Sequence, residues 1–139
     1  DLHYPLRRQR QMCIRDSASA TGQNSPIYFD IKTAKDHGYK TIIAPPTFLT
    51  VISMEQDQPY KYLEELNIPL DRLLHAAQEY NYYIPIYLGD TITMTKKIED
   101  IYDKKNGSLH FISFLSNYVN HDDIEVAQSL STLVVRSNA

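Results

Sequence analysis

The stretch TIIAPPTFLTVISMEQ, residues 41–56, decides how the rest of the chain is read. Thr41 to Ala44 reads as a short extended piece, because the residue before a proline is pushed out of the helical region. From Thr47 the chain reads as helix, and Phe48, Leu49, Val51, Ile52 and Met54 cover most of its circumference. A helix that is apolar all round has to be enclosed by other elements. The polar run from Gln56 to Pro59 ends it.

The segments downstream read as the enclosing material. LLHAAQEYNYYI (73–84) reads as a strand leading to a turn at Gly89-Asp90. TITMTKKIEDIY (91–102) alternates through Ile92, Met94 and Ile98, with Lys96 out of pattern. Lys105-Asn106-Gly107 carries the Asn-Gly signal of a tight hairpin. LHFISFLSNYV (109–119) is apolar on both faces, as a central strand is. The run NHDD (120–123) turns the chain, and IEVAQSLSTLVVR (124–136) closes the series. Upstream, Asp30 is a good N-cap for a short helix over 31–37, and Gly38 suits its end. The expected fold class is α+β, a long antiparallel sheet of four strands wrapped around one buried central helix.

With 139 residues the chain has the size of one domain. A net charge of −3 gives no electrostatic reason to expect nucleic acid or an anionic membrane as partner. No apolar run approaches the ~20 residues of a membrane span. Cys13 is the single cysteine, so no disulfide forms within these residues, and a reducing cytoplasm is the expected location. The five histidines are scattered, and no metal site is expected. The first seventeen residues, DLHYPLRRQRQMCIRDS, lack a sustained helical or strand period and the apolar core of a secretory signal. The string QMCIRDS resembles translated sequencing-adaptor read-through, so residues 1–17 are expected to be a non-native or disordered leader to a single domain over 18–139.

Four stretches resemble the MaoC-like dehydratase and hydratase family, specifically its N-terminal-type domain with the hot-dog fold. They are ATGQNSPIYFD (20–30), IIAPPTFLT (42–50), LLHAAQEYNYYIPIYLGDTIT (73–93) and STLVVR (131–136). The third is the most specific, since it places an aromatic-rich strand, Pro85 and the Gly89-Asp90 turn at the family's spacing. The resemblance also implies a further helical segment before Ala18, so the domain is expected to be truncated there.

Active members of that family reversibly hydrate a trans-2-enoyl thioester, on coenzyme A or acyl carrier protein, to an (R)-3-hydroxyacyl thioester. Their motif is G-D-x-N-P-x-H, whose carboxylate and imidazole position a water and move its proton. A glycine N–H at the start of the central helix polarises the thioester carbonyl. Laid on that motif, Gly22 to Tyr28 puts Gln23 at the aspartate and Tyr28 at the histidine, with Ser25 for the asparagine and Pro26 retained. A glutamine holds water but takes no proton, and a phenol titrating near about 10 is a poor base at neutral pH. Where the family carries I-A-x-G, this chain has Ile43-Ala44-Pro45-Pro46, and Pro46 has no N–H to donate. No catalytic residue is therefore expected, with Gln23, Tyr28 and Pro46 marking degenerate motif positions.

By the same resemblance, Ile43, Pro45, Thr47, Phe48 and Val51 are expected to line an acyl tunnel, with an acyl-coenzyme A or acyl-carrier-protein thioester as substrate and no cofactor. The implied partner is a second hot-dog subunit carrying G-D-x-N-P-x-H, or a second copy of this chain. The alternatives are a non-enzymatic acyl-thioester binding module and a thioesterase using Glu55. Other polar residues have plainer readings: His75 as a packed or hydrogen-bonded core histidine, His110 as a surface residue, and His37 as a helix end. Glu55 reads as a solvated helix end, and Asp90 as a turn cap. Tyr80, Tyr82, Tyr83 and Tyr87 crowd one segment and fit either an acyl channel or strand packing and an interface.

Overall fold

The turns set the sheet. The computed structural model describes residues 2–5, 11–55, 58 and 60–137. In chain order the elements are β1 (Leu2–Pro5), α1 (Gln11–Ala20), α2 (Ile31–Asp36), α3 (Phe48–Met54), α4 (Lys61–Glu65), β2 (Leu73–Tyr82), β3 (Thr93–Lys104), β4 (Leu109–Val119) and β5 (Glu125–Arg136). Single 3-10 turns lie at Pro26–Tyr28 and Leu70–Arg72. Lys105, Asn106 and Gly107 all take left-handed backbone angles, which reverses the chain between β3 and β4. Between β4 and β5 the Asn120 side-chain oxygen accepts the N–H groups of Asp122 and Ile124, at 2.9 and 3.1 Å.

The sheet order is β1-β3-β4-β5-β2, and every neighbouring pair is antiparallel. The four long strands expected from the sequence are present, and β4 is central, as its two-sided apolar pattern requires. β3 starts two residues later than expected and runs on to Lys104, while β2 ends at Tyr82. β2 forms one edge of the sheet and is exposed along most of its length. Beside it Leu74 is 49% and Tyr83 is 54% exposed, an unusual apolar load for an open edge.

Phe48, Leu49 and Ile52 of α3 are fully buried against Ile42, Ile86, Ile92, Met94, Tyr118 and Val126. A smaller cluster joins Ile112, Phe114 and Leu133 to Tyr62, Ile68 and Leu73. The reading of α3 as apolar and buried all round needs one correction, because Met54 is 48% exposed. The helix has only seven residues, and the sheet closes over one side of them. The polar run Gln56–Pro59 lies outside the described residues except for Gln58.

The segment expected to be a leader contributes residues to the helices and the sheet. α1 begins inside that segment, its Ile14 is fully buried within the main core cluster, and Ala18 on the same helix is also fully buried. β1 pairs with β3 from Leu2↔Lys96 to Pro5↔Thr93, adding a fifth strand. Asp1 and residues 6–10 lie outside the described residues. Two inward side chains from one helix are too few to register as a period, which is why the sequence pattern missed them. Among the described residues no helix is long and apolar enough to cross a membrane.

Ile14→Ala is expected to lower unfolding stability by about 2–5 kcal/mol, the usual cost of emptying a core site. Urea unfolding measures it, and an unchanged midpoint would place the segment outside the fold.

Candidate functional site

Three segments converge on an apolar cavity of about 300 Å³: the turn carrying Tyr28, the Ile43–Pro46 approach to α3, and the chain from Tyr82 to Ile86. Each is held by local bonds that its sequence supplies. Asp30 caps α2, accepting the Thr33 N–H at 2.8 Å and the Thr33 hydroxyl at 2.6 Å, and these bonds hold its carboxyl below the ordinary aspartate range. Arg15 Nη2 donates to the Phe29 carbonyl at 2.7 Å, tying α1 to the same turn. The Ala44 N–H donates to the Ile86 carbonyl at 2.8 Å, and the Leu88 N–H to the Ile42 carbonyl at 2.9 Å. The Tyr82 hydroxyl donates to the Pro46 carbonyl, which fastens the end of β2 to the start of α3.

The structure brings together Tyr28 and Pro46, two of the three degenerate motif positions, as walls of this cavity. Gln23 is not among its walls; it follows α1, with its N–H on the Ala18 carbonyl at 2.9 Å and Gly22 before it at φ 74°. Of the expected tunnel residues, Ile43 lines the cavity. Pro45 and Phe48 are wholly buried core residues, Val51 packs half-buried against that core, and Thr47 is the exposed N-cap of α3. These four were expected from the family resemblance, and within α3 successive side chains point in different directions, which turns Phe48 into the core. The walls not anticipated are Ala44, Ile84, Pro85 and Ile86, while Tyr82 and Tyr83, for which an acyl channel was one of two readings, are also walls. The crowding of tyrosines around residues 80–87 was the signal that pointed to them.

Chemically, the nine walls include neither carboxylate nor imidazole. Burial pushes the Tyr82 phenol well above the ordinary tyrosine range, and its proton is engaged by the Pro46 carbonyl. A slot walled in this way can accommodate a hydrocarbon group.

The remaining polar residues sort as their local surroundings dictate. His75 is exposed rather than packed, with Nε2 3.1 Å from Gln78 Oε1 and 3.3 Å from Ser131 Oγ. His110 pairs across the hairpin with Asp103 at 2.6 Å, and His37 Nδ1 donates to the Thr33 carbonyl at 2.8 Å. Glu55 is the exposed C-cap of α3, and the Asp90 carboxylate accepts the Tyr87 N–H at 2.8 Å. Tyr80 bonds Thr50, so it too braces β2 against α3. Among the described residues no three metal-ligating side chains cluster.

Five antiparallel strands embracing one short apolar helix define a hot-dog domain, and comparison with solved structures agrees. A MaoC-like dehydratase superposes with a TM-score of 0.83 at 20% identity over 97% of this chain and 41% of the other. The C-terminally truncated HadBC (3R-hydroxyacyl-ACP dehydratase) complex of Mycobacterium tuberculosis gives 0.81 at 18% identity, covering 96% of this chain and 94% of that one. Residues 8–129 match the model of the FAS1-like, dehydratase domain region, and the chain belongs to that family. A UPF0336 protein of Saccharopolyspora erythraea is 31% identical over 136 residues, 98% of this chain and 84% of the relative. Another from Thermobifida fusca is 33% identical over 126 residues, 91% and 82% of the two chains.

A pH dependence follows from the buried phenols. Burial raises the Tyr82, Tyr62 and Tyr118 hydroxyls, whereas in the unfolded chain a tyrosine ionises from about pH 10. Their contribution is complete below that value and is lost as pH rises beyond it. Lys96, lowered by burial, works in the opposite direction, in a window that closes at the ordinary lysine value of about 10.5, in wild type and variant alike. Tyr82→Phe is expected to cost at most about 1 kcal/mol near pH 7 and to lose less stability than wild type in alkali. Urea midpoints between neutral and alkaline pH measure both, and identical alkaline slopes would show that the Tyr82 hydroxyl is solvated.

Proposed function

We propose that this chain is the substrate-binding, non-catalytic half of an (R)-specific enoyl-thioester hydratase or 3-hydroxyacyl-thioester dehydratase. Its acyl thioester, on coenzyme A or acyl carrier protein, is held partly in the cavity between Tyr28, Pro46 and the Tyr82–Ile86 segment. The aspartate, histidine and oxyanion donor come from a motif-bearing hot-dog partner. The observation that carries this reading is the cavity itself, which has the apolar walls a thioester's acyl group needs and lacks the base its hydration needs.

Two further observations support it. The exposed β2 edge, with Leu74 and Tyr83 beside it, offers unpaired backbone groups and apolar side chains to another sheet. Structural neighbours include two complexes, HadBC and ChsH1–ChsH2 of Mycobacterium tuberculosis, the second with a TM-score of 0.79 at 18% identity. The thioesterase reading is not supported, since Glu55 stands exposed at the end of α3 and is not a wall of the cavity.

Co-expression with a hot-dog protein that carries G-D-x-N-P-x-H is expected to yield a complex that hydrates crotonyl-coenzyme A. The chain alone is expected to be slower by at least about 10², the scale of one lost acid–base group. Comparable activity from the single chain would overturn the proposal. Saturable thioester binding with no turnover in any mixture would favour a binding module that acts as a homodimer.

A further inference from the structure

Lys96, the residue out of step with its strand, points to a second site. It lies on β3 two residues from the buried Met94, and its ammonium sits 4.5 Å from the Phe114 ring centroid and 4.8 Å from that of Tyr62. Burial lowers its pKa. Among the described residues no carboxylate lies within ion-pair distance of it. A cation taken out of water needs a compensating partner, and two ring faces supply only part of one.

The same ammonium borders a cavity of about 200 Å³ in the hollow of the sheet, and that cavity is lined with hydroxyls. Ser116 and Ser129 are buried at 6% and 4% exposure, and Tyr118 is fully buried. The Tyr118 hydroxyl lies 2.8 Å from Ser53 Oγ and 3.2 Å from Ser129 Oγ, while Ser131, Tyr80, Thr50, Gln78 and the His75 imidazole also line the polar side. No aspartate or glutamate is among the lining residues. Hydroxyls and an ammonium all donate hydrogen bonds, and a carboxylate is the group that accepts from both at once. A single lysine without arginine matches one negative charge better than a phosphate dianion.

We propose that this cavity binds a carboxylate through Lys96 and the hydroxyls of Ser116, Tyr118 and Ser129. The carboxylate belongs either to a free short-chain acid or to the far end of a carboxylated acyl thioester. The second source deepens the function proposed above and rests on it. The geometry suits it, because Tyr82 walls the apolar cavity and Tyr80 walls this one, about 7 Å further along β2.

Isothermal titration of the full chain with hexanoate and with hexanol tests the site without any thioester. Hexanoate is expected to bind at least about tenfold more tightly than hexanol, and Lys96→Met, which keeps the stem against the two rings, is expected to erase that preference. Equal binding of acid and alcohol by wild type, or no saturable binding of either, would overturn the proposal even if the variant failed to fold. Titration with pimeloyl- and heptanoyl-coenzyme A then identifies the source. A Lys96-dependent preference for the pimeloyl thioester assigns the terminal carboxylate, whereas equal binding of the two assigns a free acid and leaves the site standing. If neither thioester binds, the function proposed above fails, while the hexanoate result still decides this site.

Discussion

Everything in this domain depends on how seven residues of helix are held against a sheet. α3 buries Phe48, Leu49 and Ile52, and a segment that short has little stability of its own. The sheet supplies what the helix lacks by two means. Apolar packing against Ile42, Ile86, Met94 and Val126 fills one side. Tyrosine hydroxyls supply fixed cross-links: Tyr80 to Thr50, Tyr82 to the Pro46 carbonyl, and Tyr118 to Ser53. Because these bonds lie along the same seam as the cavities, the element that completes the core also shapes what the domain can hold.

That dependence explains why the fold persists where motif chemistry does not. Pro46 cannot donate an N–H, yet its carbonyl anchors Tyr82, and proline is well suited to a helix start. Tyr28 stands where the resemblance places a histidine, and its ring closes an apolar wall instead. Gly22 at φ 74° and the Asp30 cap fix the backbone of this segment, in which Gln23 and Tyr28 stand where the resemblance places an aspartate and a histidine.

Much of the fold was legible because its signals are local. The Asn106-Gly107 hairpin, the Asp30 cap, the alternating strands and the apolar run from Phe48 are all short-range patterns. The cavity was legible at Tyr28, Ile43 and Pro46, and in the tyrosine-rich segment through Tyr82 and Tyr83, which mark segments that converge. Pro45, Phe48 and Val51 face the core instead, since lining and packing residues alternate too closely on a helix for neighbours to share a fate. Ile14 escaped notice because a single buried turn carries no period, although it sits among the most buried side chains.

The sequence by itself determined the class of architecture, the residue types at Gln23 and Tyr28, and the lack of an N–H at Pro46. These are properties of residue type and order, and no folding alters them. Tertiary structure alone decided which tyrosines brace the helix and which wall a cavity, because only pairing of β2 with β5 brings them to α3. It also decided the meaning of Lys96. In the sequence that residue is an interruption of a pattern; in the fold it is a half-buried cation between two rings, facing hydroxyls from three other strands and the central helix.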